Sequence, residues 1–176
     1  MTGAAVARVS AVVFAAAMLQ AVIVSSLVIG GGAPDLLLVV AVSLGLLRGS
    51  IAGAVSGFAG GLVIDLLTLD TLGVTSLVLT LAGFWAGRYA ETTGSGRRRL
   101  APLVAVGVIT LLAGVFGFVL HYMLGVEIVA RHALVTALAP TVLLNVLLAL
   151  PVYALVRASI REQARLGRAS EVEVVV

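Results

Sequence analysis

The sequence predicts an all-α integral membrane protein, a compact bundle of six membrane-spanning helices with both termini in the cytoplasm. Three observations predict it. Of 176 residues, 61% are hydrophobic and 11% charged, and the mean hydropathy is +1.23. A soluble domain of this size needs a larger charged surface. The apolar residues run almost end to end, in stretches near the roughly 20 residues that cross a bilayer as helix. The arginines between those stretches are biased to one side. Disordered classes are excluded. With no cysteine there is no disulfide framework, thiol nucleophile or thiolate metal site. All 11 basic residues are arginine, and the pI of about 10.2 comes from membrane edges. That balance points to topology and to anionic lipid at the inner face, not to nucleic acid.

The elements follow in order. The first span is expected over 9–29, behind Arg8; no hydrophilic domain follows, so it reads as an uncleaved span and not a signal peptide. The second, over 35–47, opens on Pro34, which suits a first helical position. It is short, about 21 Å at 1.5 Å per residue against a core of roughly 30 Å. Tilt with thinning, a re-entrant path, or extension into Gly30-Gly31-Gly32 would each reconcile the two. Arg48-Gly49-Ser50 turns into the third span, 51–69, and the fourth covers 72–87, with Trp85 and Tyr89 as interface aromatics. A polar loop holding Arg97, Arg98 and Arg99 leads to the fifth span, 101–124. The sixth, 133–156, contains Pro140 and Pro151, which neighbouring helices can absorb. Residues 1–156 thus form the membrane domain and 157–176 a basic cytoplasmic tail.

Alternating sides across six spans puts ten arginines inside and Arg131 alone outside. Asp35, Asp70 and Glu127 fall near outer ends. Removing the short second span would break the alternation.

Small residues mark the faces that meet protein. Span three carries Gly53, Gly57 and Gly61 at spacing four, with Ala52, Ser56 and Gly60 beside them. Span four has Ser76, Thr80, Gly83 and Gly87; span five has Gly107, Thr110, Gly114 and Gly117. Lipid supplies little hydrophobic drive between helices, so close backbone approach must hold them. Packing inside the bundle is the plain reading, and docking of a partner's helix the sharper one.

Polar residues within spans are expensive. Gln20 and Asn145 lie near the middle of spans one and six, and equal depth makes a hydrogen bond between them possible, a structural role favoured over ligand binding. Asp65 continues the glycine stripe to its outer end, where His121 or Arg131 would complete a polar cluster; alternatively its carboxylate caps the next loop. Catalytic sets are lacking: no nucleophile triad, no HExxH and no phosphate loop with lysine. His121 and His132 read as interfacial, without a metal or cofactor. In the tail Arg157, Arg161, Arg165 and Arg168 share one face if helical, fit for anionic lipid or for a cytoplasmic protein.

Pro34-Asp35-Leu36-Leu37-Leu38, then Leu47-Arg48-Gly49, then Gly57-Phe58-Ala59-Gly60-Gly61 running on to Asp65-Leu66-Leu67, then Leu72-Gly73 and Gly83 to Arg88 resemble the bacterial rod shape-determining membrane protein MreD family. Order and spacing carry the resemblance over about residues 34–88; the glycine linker and the basic tail have no counterpart in it. It implies a non-enzymatic, multi-pass scaffold of the bacterial cytoplasmic membrane in the cell-wall elongation machinery. The implied partners are MreC, a single-span protein, and through the complex MreB filaments, the polymerase RodA and a class B penicillin-binding protein. It also implies a fold similar to the S components of energy-coupling-factor vitamin transporters. Pro34, Asp35, Gly57, Gly60, Gly61 and Asp65 would carry the family pattern here. The competing reading is such an S component itself, with Ala7, Ala11 and Ala15 as its coupling face.

Overall fold

A computed structural model describes residues 3–22, 27–69, 71–93, 101–124 and 131–173. Among these the chain forms six helices: α1 (Gly3–Val22), α2 (Leu36–Arg48), α3 (Ser50–Thr68), α4 (Val74–Thr93), α5 (Ala101–Met123) and α6 (Arg131–Glu173). Among the described residues, three stretches are long and apolar enough to cross a membrane: Ser50–Thr68, Pro102–Leu120 and Ala137–Ile160. Val6–Val22 and Leu36–Arg48 are shorter apolar helices. This is the architecture of a helical membrane protein.

Three elements differ from expectation: α1 at both ends, α4, which runs on to Thr93, and α6. The first helix begins at Gly3 and ends at Val22, short of Ile29. Residues Ile29–Gly32 instead close a tight turn through hydrogen bonds of 2.8 and 3.1 Å. Gly30 (φ 61) and Gly31 (φ 85) supply the left-handed backbone that this turn needs. At the other end, α6 runs unbroken past residue 156 into the expected tail, with Pro140 and Pro151 inside it.

The short α2 is the hub. Leu37 through Gly45 are buried without interruption, and α2 touches all five other helices. A helix that is apolar all round suits either a protein interior or a bilayer, and here the other five helices enclose the LLLVVAVSLGLL run. Gly49 (φ 93) ends it and allows α3 to start one residue later, antiparallel to it. The core spreads from α2 to Val13 and Ala17 of α1, Leu79 and Ala86 of α4, Val106 and Ile109 of α5, and Ala149 and Val152 of α6. Ile51, Val55, Leu112, Leu143 and Leu147 face outward, as helices bathed in lipid present their bulky residues.

Candidate functional site

Three constructions account for most of the residues that the sequence singles out. The first is the start of α2. Asp35 is its N-cap, and the carboxylate accepts from Leu38 N–H at 2.9 Å. Asn145 Oδ1 accepts from Asp35 N–H at 2.7 Å, and Gln20 Oε1 from Leu36 N–H at 2.8 Å. Gln20 Nε2 donates to the Pro34 carbonyl at 3.3 Å, and Asn145 Nδ2 to Thr110 Oγ1 at 3.3 Å. The N–H groups at a helix start have no partner within the helix, and in a lipid environment each unpaired one costs several kcal/mol. Side chains of α1 and α6 supply those partners here. Gln20 and Asn145 do not pair with each other as expected; they meet across the backbone that runs between them. Asn145 is fully buried.

The chain reaches this point through the glycine turn, which folds onto α6. A methyl group on Gly32 would stand 2.6 Å from Thr141 N and 2.8 Å from Pro140 Cβ, so only glycine fits. The glycines before α2 thus form a turn packed on α6 and are not part of the helix, which starts at Leu36.

The second construction is the α3–α4 interface. Side chains at Gly53, Gly57 and Gly61 would run into Gly83 O, Leu79 O and the Ser76 backbone. Side chains at Gly83 and Gly87 would run into Gly53 and Ser50 in return. Gly45 joins the same crossing from α2, facing Gly83 O. Ser76 Oγ donates to the Phe58 carbonyl at 2.7 Å and adds a polar tie. The glycine stripe therefore packs inside the molecule, and the sharper reading of it as a docking face is corrected: α4 already occupies it. Gly60 faces elsewhere, toward Leu37 and Val13 of α2 and α1.

The third consists of two carboxylates at opposite ends of α3. Asp65, fully buried, accepts through Oδ2 from Gly73 N–H at 2.8 Å and weakly from Ser76 N–H at 3.5 Å. The side chain stands at the start of α4, whose first N–H groups have no partner within the helix. Asp65 thus caps the following loop and helix, the plainer of its two readings. Its Oδ1 has no partner among the described residues. The side chains of His121 and Arg131, proposed as its companions, lie outside what is described, as do Asp70, Glu127, Arg97–Arg99 and the side chains of His132, Arg161, Arg165 and Arg168.

At the other end Glu91 Oε1 accepts from Ser50 N–H at 2.8 Å and from Ser50 Oγ at 2.9 Å, and Oε2 pairs with Arg88 at 3.4 Å. The Ser50 hydrogen bonds, with the Arg88 charge, hold the Glu91 carboxyl below its ordinary range. Arg48 stands in the last turn of α2 at this same end, a favourable place for a cation. Sequence reasoning missed Glu91 and Gly45, and read Thr110 only as a small residue of the span-five stripe and not as the partner of Asn145. Glu91 caps a helix 41 residues away, and nothing local in the sequence signals it.

A lateral opening remains. α1 and α3 touch at Val13 and Gly60, where a methyl group would stand 2.9 Å from Val13 Cγ1. Between these helices lies an apolar groove of about 850 Å³, lined by Ala7, Ala11 and Phe14 of α1 and by Ala52, Val55 and Ala59 of α3, with Arg48 among its walls. Among the described residues no group of His, Asp or Glu can hold a metal ion.

Fold and site define a helical membrane protein whose intramembrane polar groups serve mainly to fasten helix ends. Its sequence matches the family model of the rod shape-determining protein MreD over residues 3–162, and the chain belongs to that family. No curated protein and no solved structure matches it.

Proposed function

We propose that this chain is a non-enzymatic scaffold subunit of the bacterial cell-wall elongation machinery. In this reading it crosses the cytoplasmic membrane six times, with both termini inside, and binds an MreC-type single-span partner. MreB, RodA and a class B penicillin-binding protein are the further members of the assembly. The bundle then shares its architecture with the S components of vitamin transporters while serving a different end.

One observation carries the reading beyond family membership. Gln20, Asp35, Thr110 and Asn145 converge on the start of α2, and Asp65 on the start of α4. A transporter needs polar groups turned toward a ligand or a coupling ion. Here the same groups rigidify the bundle, which suits a body that others are mounted on. The orientation is supported by charge: Arg8, Arg48 and Arg88 gather at the end of the bundle opposite Asp65. Because α4 fills the glycine stripe, the partner's span must meet an outward face of the bundle.

Brief cross-linking in native membranes, followed by purification in mild detergent and mass spectrometry, tests this. Recovery of an MreC-type protein, with RodA or MreB, is the expected result. Recovery of paired ATPases with a coupling membrane subunit, and no MreC-type protein, would replace the scaffold by vitamin uptake.

A further inference from the structure

α6 is longer than a membrane crossing requires. Its apolar stretch, Ala137–Ile160, is 24 residues, about 36 Å at 1.5 Å per residue, against a hydrocarbon core of roughly 30 Å. The helix then continues unbroken to Glu173, about 20 Å further. The two prolines inside it, where a helix bends most sharply, both precede Arg157. A helix that leaves the bilayer without a bend points away from the surface and does not lie along it. The outward face of α6 changes character at the same level. Leu143, Leu147 and Leu150 are 71%, 73% and 54% exposed, while Asn145, Ala149, Val152 and Val156 on the other side are buried. Steps of three and four residues carry the outward stripe from Leu150 through Ala154 to Arg157, which is exposed, and on to the positions of Arg161, Arg165 and Arg168. Glu162 lies off the stripe, and Glu171 and Glu173 come after its last arginine.

We infer that this basic stripe is a docking surface for an acidic helical segment of a protein on the cytoplasmic side. The argument is charge complementarity set against height. The backbone at Arg157 and Arg161 falls near the level of the headgroups, whereas at Arg165 and Arg168 it stands about 12 and 16 Å beyond Arg157 along the axis. Attraction to anionic lipid decays over a Debye length of about 8 Å, so the far arginines are poorly placed for the bilayer. Bulk charge adds little, because four arginines against three glutamates leave residues 157–173 at a formal +1. The pattern is what selects. Guanidinium forks at helical spacing match carboxylates three and four residues apart on a second helix running alongside. A lipid surface offers no such row at that height. The inference rests on the placement of both termini inside, proposed above, and goes beyond the scaffold reading by naming the chemistry of one cytoplasmic contact.

The test uses the full-length chain in nanodiscs of dioleoyl phosphatidylcholine. The probe is a fluorescent helical peptide with glutamates three and four residues apart, and its glutamine counterpart is the control. Fluorescence anisotropy should show the acidic peptide bound and the control free. Arg165→Gln with Arg168→Gln should weaken binding about fivefold, as two exposed ion pairs are worth. Arg165→Gln with Leu166→Arg keeps the net charge and moves one cation off the stripe; it should weaken binding about twofold, as much as Arg165→Gln alone. These positions lie past the apolar stretch of α6, and the unfolding temperature should not change. Replacing part of the lipid by phosphatidylglycerol should leave the peptide bound. The inference is overturned if the acidic peptide does not bind, or if the charge-shifted variant binds as the natural chain does. It is overturned equally if phosphatidylglycerol displaces the peptide, which would assign the arginines to the bilayer. The scaffold reading fails by a different result, the absence of an MreC-type partner on co-purification.

Discussion

Two faces of α3 meet opposite fates. Gly53, Gly57 and Gly61 lie against the backbone of α4 so closely that a single methyl group does not fit. Ala52, Val55 and Ala59 turn the other way, along a groove that α1 leaves open. Small residues permit close approach on both faces, yet only one is closed by a helix of the same chain. The difference is glycine on one face against alanine and valine on the other. Glycine lets carbonyl oxygen reach Cα, and the weak Cα–H···O contacts and dispersion that follow need that proximity. Alanine and valine keep the walls apart.

The comparison breaks most severely at Gly57. Gly57→Leu would drive a side chain into the Leu79 carbonyl, and backbone cannot step aside as a rotamer does. A loss of about 3 kcal/mol or more is expected, at the upper end of overpacking costs, read as a collapse of folded yield and of the unfolding temperature in detergent. Asn145→Leu is next. It removes the acceptor for Asp35 N–H in a buried site, for about 1–3 kcal/mol in the same assay. Asp65→Ala leaves the Gly73 N–H without its cap, for about 0.5–2 kcal/mol, and faster amide exchange at Gly73 and Ser76 would locate the loss.

The Glu91 contribution is smaller and depends on pH. Its folded pKa lies below the ordinary 4.5 because Ser50 and Arg88 favour the charged form. The stabilisation is therefore fully present above pH 4.5 and is lost as pH falls through the lowered folded value. Glu91→Gln should be less stable than the natural chain at neutral pH and equal to it in acid, as measured by unfolding temperature against pH. An equal deficit at every pH would mean that the carboxylate charge is unimportant. The smallest effect sharpens the contrast itself. Ala59→Leu, on the open face, should alter stability by no more than about 0.5 kcal/mol, although the residue is only two positions from Gly57.

Much of the fold is legible in the sequence. Apolar runs bounded by Arg48-Gly49, by Gly73 and by the polar stretch near Arg97 place α2, α3 and α5 within a residue, whereas α1 is displaced toward the N-terminus and α4 and α6 run on past their expected ends. Pro34-Asp35 announces the start of α2, and its N-cap bond is local. The glycine stripes are visible at spacing four, since side chains that far apart share a helix face. The site is less legible. That Gln20 and Asn145 are buried and polar follows from their position; that both serve the backbone at Pro34 to Leu36 does not, because the partners lie up to 110 residues apart. Glu91 is hidden for the same reason.

The sequence by itself determined that this chain is helical, that it belongs in a membrane, where its turns fall and which helix faces approach protein. These properties come from transfer free energy and backbone sterics, which act residue by residue. Only the tertiary structure decided which element is the hub, which glycine face is already filled, and which face remains open between α1 and α3. Those outcomes depend on which of several similar apolar surfaces approach one another. In lipid that choice turns on fractions of an ångström in packing and on a few buried hydrogen bonds, since hydrophobicity no longer tells one helix from the next.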